Sequence, residues 1–190
     1  MDRRVLIPRP STEGLVDLAL DFVRNGKEEM RTVDSRIVVF SKQLKVWEKI
    51  ETTVDVGTGS GCIAITMACE RPDLTIIATD LSPDALIVAE ENARRHGVAD
   101  QIAFRCGDGL APVSDLREPF LLVSNPPYIP SGNHRMRDVQ DYEPHVALFG
   151  GEDGMDVVRK LMREAQDHPL CVGWVMEFSE KMANNQSPRN

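Results

Sequence analysis

Residues 52–61 read Thr-Thr-Val-Asp-Val-Gly-Thr-Gly-Ser-Gly, and Cys62-Ile-Ala-Ile-Thr-Met-Ala-Cys-Glu70 follows directly. Thr53 to Val56 is a short β-prone run, and 62–70 reads as a buried helix stopped near Pro72. Between them, Gly57, Gly59 and Gly61 let the backbone turn sharply and let a ligand approach closer than a Cβ would allow. The helix N-terminus beyond offers unpaired N–H groups to a carboxylate or phosphate. A second strand, Leu74 to Thr79, ends at Asp80, 19 residues after Gly61, where an acidic side chain can bond both hydroxyls of a ribose. Asp55, Gly57, Thr58, Gly59, Ser60, Gly61 and Asp80 together mark a nucleoside-containing ligand at the carboxyl edge of a parallel sheet. The spacing is G-x-G-x-G, not the G-x-G-x-x-G dinucleotide fingerprint, so a nicotinamide enzyme is not favoured.

The same alternation continues outward. Ser82 followed by Pro83 is a helix start with the cap and first-turn proline in their preferred places, and Gly97 ends that helix after His96. Ile102 to Cys106 and Phe120 to Ser124 are further strands. A long loop spans Asn125 to about Asp153, Met155 to Ala165 is a helix, and Cys171 to Phe178 is a fifth strand. Short β-rich runs alternating with helices predict an α/β fold with a parallel sheet. Upstream, Ser11 to Arg24 reads as a helix capped by Ser11 or Thr12, with Leu15, Leu18, Ala19 and Phe22 on one face. The chain divides into 1–24 (helix and preceding segment), 25–50 (insertion or linker), 51–178 (ligand-binding domain) and 179–190 (polar tail). Within 25–50 only RIVVF resembles a strand.

Composition narrows the class. Among 190 residues, 30 are acidic and 22 basic, giving a net charge of −8, and 42% are hydrophobic. That balance disfavours a disordered or fibrous chain. No window reaches ~18 consecutive apolar residues, and MDRRVLIPRPSTEG lacks the apolar core of a secretory signal. A soluble, cytoplasmic or organellar protein without membrane contact is expected. A pI near 5.0 argues against DNA as a direct partner, because non-specific binding needs clustered Lys and Arg. Cysteines at 62, 69, 106 and 171 form no CxxC pair and have no histidine at ligand spacing, so no metal site is expected and the thiols are read as reduced and buried.

A second constellation, Val123-Ser-Asn125-Pro126-Pro127-Tyr128, follows the fourth strand at the same carboxyl edge. Consecutive prolines stiffen the turn and leave carbonyls without competing local N–H partners. Asn125 adds a side-chain carbonyl and Tyr128 a flat aromatic face. A planar NH₂ group needs such a set if it is to be held still and pointed at an electrophile.

With these motifs the chain resembles class I S-adenosylmethionine-dependent methyltransferases that act on an amide or amino nitrogen. Three further stretches are similar to the release factor glutamine methyltransferases: Leu6-Ile-Pro-Arg-Pro-Ser-Thr-Glu13, Tyr142-Glu-Pro-His-Val-Ala-Leu148 and Gly150-Gly-Glu-Asp-Gly-Met-Asp156. The resemblance implies a Rossmann-like sheet with helices on both faces and S-adenosylmethionine as cofactor. It implies that Gly57 to Gly61 face the methionine part, that Asp80 holds the ribose, and that Asp108 and Gly109 border the adenine. Asn125 would touch cofactor and substrate, and Pro126, Pro127 and Tyr128 would complete the acceptor pocket. The implied partner is a peptide-chain release factor, methylated at the glutamine of its GGQ loop. Two positions depart from the family: Gly109 stands where an aromatic residue is common, and IPRPSTE stands for IPRPETE.

A glutamine amide nitrogen is a weak nucleophile because its lone pair is delocalised into the carbonyl. Asn125 and the Pro126 carbonyl can accept its two hydrogens while Tyr128 packs on the amide plane. No base is evident; His134 and His145 lie in the following loop without a recognisable partner. Catalysis would be mostly positioning, which can supply roughly 7–11 kcal/mol.

The family's sheet continues through two strands after Phe178, whereas SEKMANNQSPRN has no strand pattern. Strand 171–178 is therefore expected to be an exposed apolar edge, open to self-association, with cover by RIVVF of the 25–50 segment as the lesser alternative. Two other readings stand beside the active enzyme: a truncated, inactive remnant that keeps the cofactor motifs, and a methyltransferase acting on a nucleic-acid exocyclic amine.

Overall fold

The alternation that begins at Thr52 becomes a parallel sheet in the computed structural model, which describes residues 4–25, 31–33, 37–42, 50–132 and 144–178. Its strands are β1 (Arg31–Val33), β2 (Ile37–Ser41), β3 (Thr52–Val56), β4 (Thr75–Asp80), β5 (Ile102–Cys106), β6 (Phe120–Ser124) and β7 (Cys171–Glu177). They lie in the order β1-β2-β7-β6-β3-β4-β5. The five strands from β7 to β5 are parallel. The chain winds from β3 to β5 in one direction and resumes at β6 on the other side of β3. The carboxyl ends of β3 and β6 thus flank the switch point, where open α/β sheets bind ligands.

Helices cover both faces. Helix α1 (Ser11–Asn25) begins at the residue expected, as do α2 (Cys62–Glu70) and α3 (Pro83–His96), where the Ser82 hydroxyl accepts the Ala85 N–H. Side chains of β6 alternate, as a pleated strand requires. Leu121 and Val123 join α1 and α2 in one cluster, while Phe120 and Leu122 join the other. That second cluster takes Val158, Leu161 and Ala165 from the last helix, α5 (Asp156–Asp167), and Met155 from just before it. The region expected to be loop between Asn125 and Asp153 also holds a short helix, α4 (His145–Leu148), and a parallel bridge between Ile129 and Phe149.

The expected exposed edge at β7 is corrected by the structure. Strand β2 pairs antiparallel with β7 from Ile37–Glu177 to Ser41–Gly173, and β1 pairs antiparallel with β2. All seven residues of β7 are buried, Val39 is fully covered, and Phe40 stacks on Trp174 with ring centroids 5.6 Å apart. The segment read as an insertion or linker thus supplies the cover. The physical reason is that a strand apolar on both faces needs hydrogen-bonded neighbours on both edges, and RIVVF carries the β-branched residues to pair with it. The edge proposed for self-association is therefore occupied within the chain.

The cysteine reading also needs correction. Only Cys171 is buried; Cys62 is half-buried, and Cys69 and Cys106 are exposed. Cys69 sits at the end of α2, beyond the core, and Cys106 is the last residue of an edge strand. Burial pushes the Cys171 thiol up to about 11. Among the described residues no helix is long and apolar enough to cross a membrane, and no group of side chains could hold a metal ion. The tail at 179–190 lies outside the described residues.

Candidate functional site

A cleft of about 370 Å³ opens at the switch point. Its walls bring together Gly57, Gly59, Asp80, Asp108, Gly109, Asn125, Pro126 and Pro127, with Leu6 from the segment before α1. Both motifs singled out in the sequence therefore face one space.

The glycine turn has the conformation its composition foretold. Gly57 and Gly59 have φ of 72° and 56°, a region costly for any residue with a Cβ. A Cβ built on either meets nothing within 4 Å, so the turn presents bare backbone to the cleft. The turn is held from behind: the Gly57 and Thr58 N–H groups donate to the Thr79 carbonyl at 2.8 and 2.9 Å. Asp80 closes it, accepting the Gly59 N–H on one oxygen and the Ser82 N–H on the other, each at 2.9 Å. Each oxygen keeps lone-pair capacity for a further donor.

Asp55, Thr58, Ser60 and Gly61 are not on the cleft wall. Asp55 lies beneath the turn, where one carboxylate oxygen accepts the Thr58 hydroxyl at 2.6 Å and the Ala64 N–H at 3.2 Å. Its other oxygen is buried without a partner among the described residues. Burial pushes this carboxyl up to about 7, against the pull of those two donors. The Ser60 carbonyl accepts from Asn92, and Gly61 packs against Ile65 and Ala89. These four residues shape the turn rather than line the space.

Asp108 and Gly109 also line the cleft. The space beside Gly109 that a side chain would fill is taken by Glu164 of α5, whose carboxylate accepts the Leu110 N–H at 2.9 Å. Lys160 of the same helix pairs with Asp108. The absent aromatic residue is thus replaced by a charged arrangement from α5.

The Asn-Pro-Pro-Tyr segment leaves the end of β6, which Ser124 ties to β3 through a 2.7 Å bond from its hydroxyl to the Val56 carbonyl. The Asn125 amide NH₂ donates to the Thr12 hydroxyl at 3.3 Å. That fixes the amide and leaves its carbonyl oxygen, like the Pro126 carbonyl, without a partner among the described residues. Gly150 lies against the Pro127 carbonyl so closely that a Cβ there would collide with it. Tyr128 is half-buried and off the cleft wall; its hydroxyl donates to Glu177 at 3.0 Å. Ser11 donates to the same Glu177 oxygen at 2.6 Å.

Sequence reasoning treated Ser11 and Thr12 as helix caps and gave Glu177 no role. The only signal was the Ser-Thr pair inside the IPRPSTE stretch; what it touches lies 113 and 166 residues away. Tyr142, Glu143 and His134 lie outside the described residues, as does the side chain of His145.

Comparison with known proteins places this geometry. A family model described as "Methyltransferase small domain" matches residues 23–141. A release factor glutamine methyltransferase of Koribacter versatilis is 39% identical over 95% of this chain and 57% of its own length. One from Deinococcus radiodurans is 40% identical over 86% of this chain and 50% of its own. The chain thus spans about half the length of the curated relatives it matches. The catalytic domain of human Mettl16, solved with an RNA hairpin, superposes with a TM-score of 0.59 at 13% identity, covering 87% of this chain and 55% of that one. At that identity the likeness extends to the fold alone. The glycine turn, the acidic end of β4 and the matched span agree: the chain belongs to the methyltransferase small domain family.

Proposed function

We propose that this chain transfers a methyl group from S-adenosylmethionine to the side-chain amide nitrogen of a glutamine in a protein, the GGQ loop of a peptide-chain release factor. The observation that carries the reading is the shared cleft, which is lined by the bare glycine turn and by Asn125 and Pro126, whose side-chain and backbone carbonyls have no partner among the described residues. The names of the relatives from Koribacter versatilis and Deinococcus radiodurans support the same substrate class.

The residues present fit the cofactor. Gly57 and Gly59 leave open the room a Cβ would take, Asp80 has capacity for ribose hydroxyls, and Asp108 and Gly109 border the adenine end. When bound, S-adenosylmethionine supplies an electrophilic methyl group on a sulfonium. The chain's own part is to hold the acceptor. Asn125 and the Pro126 carbonyl accept hydrogen bonds from the two amide hydrogens, which orients the nitrogen lone pair and favours pyramidal geometry as it is used. One of these hydrogens then leaves to water as a proton, and the other stays on the methylated nitrogen. Thr12 keeps the Asn125 amide turned so that it accepts. Because the acceptor need not be ionised first, these groups act by position and dipole. A release factor as acceptor puts the reaction where translation takes place, in the cytoplasm or, in a eukaryote, a mitochondrion or other organelle.

The test is direct. Purified protein is incubated with methyl-labelled S-adenosylmethionine and either a release factor carrying the GGQ loop or nucleic acid. Label on the release factor, at the glutamine, is expected. Label on nucleic acid would transfer the acceptor pocket to an exocyclic amine, and label on neither would match the inactive remnant.

A further inference from the structure

Besides Asp55, a second buried carboxylate stands off the cleft wall. Glu177, the last residue of β7, is fully buried. One of its oxygens accepts from Ser11 at 2.6 Å and from Tyr128 at 3.0 Å; the other is buried with no partner among the described residues. A carboxyl group in that setting gives up hydration that a leucine of similar size would not need. As stability alone, it is a poor use of a core position.

Its placement explains what the group does. Ser11 and Thr12 are consecutive residues at the start of α1, and both reach the Asn-Pro-Pro-Tyr segment. Thr12 does so directly, through Asn125, and Ser11 through Glu177 to Tyr128. The segment is therefore gripped at its first and last residues from one short stretch of helix. The two prolines between are stiff, so fixing the ends fixes the carbonyls in the middle. A hydroxyl bonded to a carboxylate is held more tightly than one bonded to a neutral acceptor.

We propose that Glu177 is a positioning residue of the methyl-acceptor pocket, holding Tyr128 and the α1 N-terminus so that Asn125 and Pro126 keep their orientation. This rests on the reading of Asn125 to Tyr128 as the acceptor pocket. Glu177 does not touch the cleft; it acts through Tyr128 and Ser11.

The experiment compares the wild type with Glu177→Ala, Glu177→Gln and Tyr128→Phe. Backbone hydrogen exchange is read at Ile129 and Ser131 and, as a control, at Leu121 to Val123. Affinity for S-adenosylhomocysteine and turnover on the GGQ-bearing release factor are read alongside. In Glu177→Ala and Tyr128→Phe, exchange should rise at 129–131 and stay unchanged at 121–123. Cofactor-product affinity should be retained, and turnover should fall roughly 10²-fold for a displacement of about 1 Å. Glu177→Gln keeps an acceptor oxygen and should recover most of both losses. Unchanged exchange at 129–131 in Glu177→Ala, or equal loosening of the β6 control, overturns the proposal. A wild type that leaves the release factor unlabelled while Glu177→Ala still loosens 129–131 alone would refute the substrate reading and uphold the role of Glu177.

Discussion

At the scale of single residues, the site separates groups that face the cleft from groups that set them. Asn125 faces it and Thr12 sets it, so Thr12→Val should leave the fold intact while freeing the Asn125 amide to turn. The expected result is turnover lowered about tenfold, with affinity for S-adenosylhomocysteine preserved by calorimetry. Unchanged turnover would mean that the amide is held by something else. Asp55 gives a pH signature. Its carboxyl is pushed up to about 7 by burial, so between about pH 4 and about pH 7 the folded chain holds a proton that the unfolded chain has released. Stability from this group is present at the acid end of that window and is lost as pH rises through it. Relative to Asp55→Asn, the wild type should lose up to roughly 1.4 kcal/mol for each pH unit climbed. Urea unfolding of both proteins from pH 4.5 to 7.5 checks the slope, and parallel curves would contradict it.

At the scale of elements, two contacts between distant segments decide whether the site is assembled. Gly150 lets the loop before α5 lie on the Pro127 carbonyl. Gly150→Ala should displace the Asn-Pro-Pro-Tyr segment and reduce turnover by up to about 10²-fold, read as initial rates at saturating cofactor. The hairpin β1–β2 covers β7, and Val39 has no exposed surface. Val39→Ala should therefore cost roughly 2 kcal/mol in urea unfolding, whereas a change within about 0.5 kcal/mol is what an uncovered strand would give. The main strands and helices from Thr52 to Ser124 were legible in the sequence because each is a short β-prone run or a helical run bounded by its own glycine, proline or cap. The hairpin was not, because RIVVF sits between polar runs and its partner strand starts 130 residues after Ser41. The grips of Ser11, Thr12 and Glu177 were illegible for the same reason: local spacing accounts for a cap but carries no mark of a contact made across the sheet.

At the scale of the whole molecule, function follows from where the chain reverses direction. Winding β3 to β5 one way and β6 to β7 the other leaves a crevice between the carboxyl ends of β3 and β6. The glycine turn follows β3, and the Asn-Pro-Pro-Tyr segment follows β6, so the topology opens both motifs onto the same crevice. The net charge of −8 suits a protein acceptor better than a polyanion. The most direct measurement is methyl transfer by Asn125→Ala beside its affinity for S-adenosylhomocysteine. An acceptor held by Asn125 predicts that labelling of the GGQ glutamine falls at least about 10²-fold while affinity for the cofactor product changes by no more than a few-fold. Full labelling by the variant, or an equal loss of cofactor affinity, would contradict it.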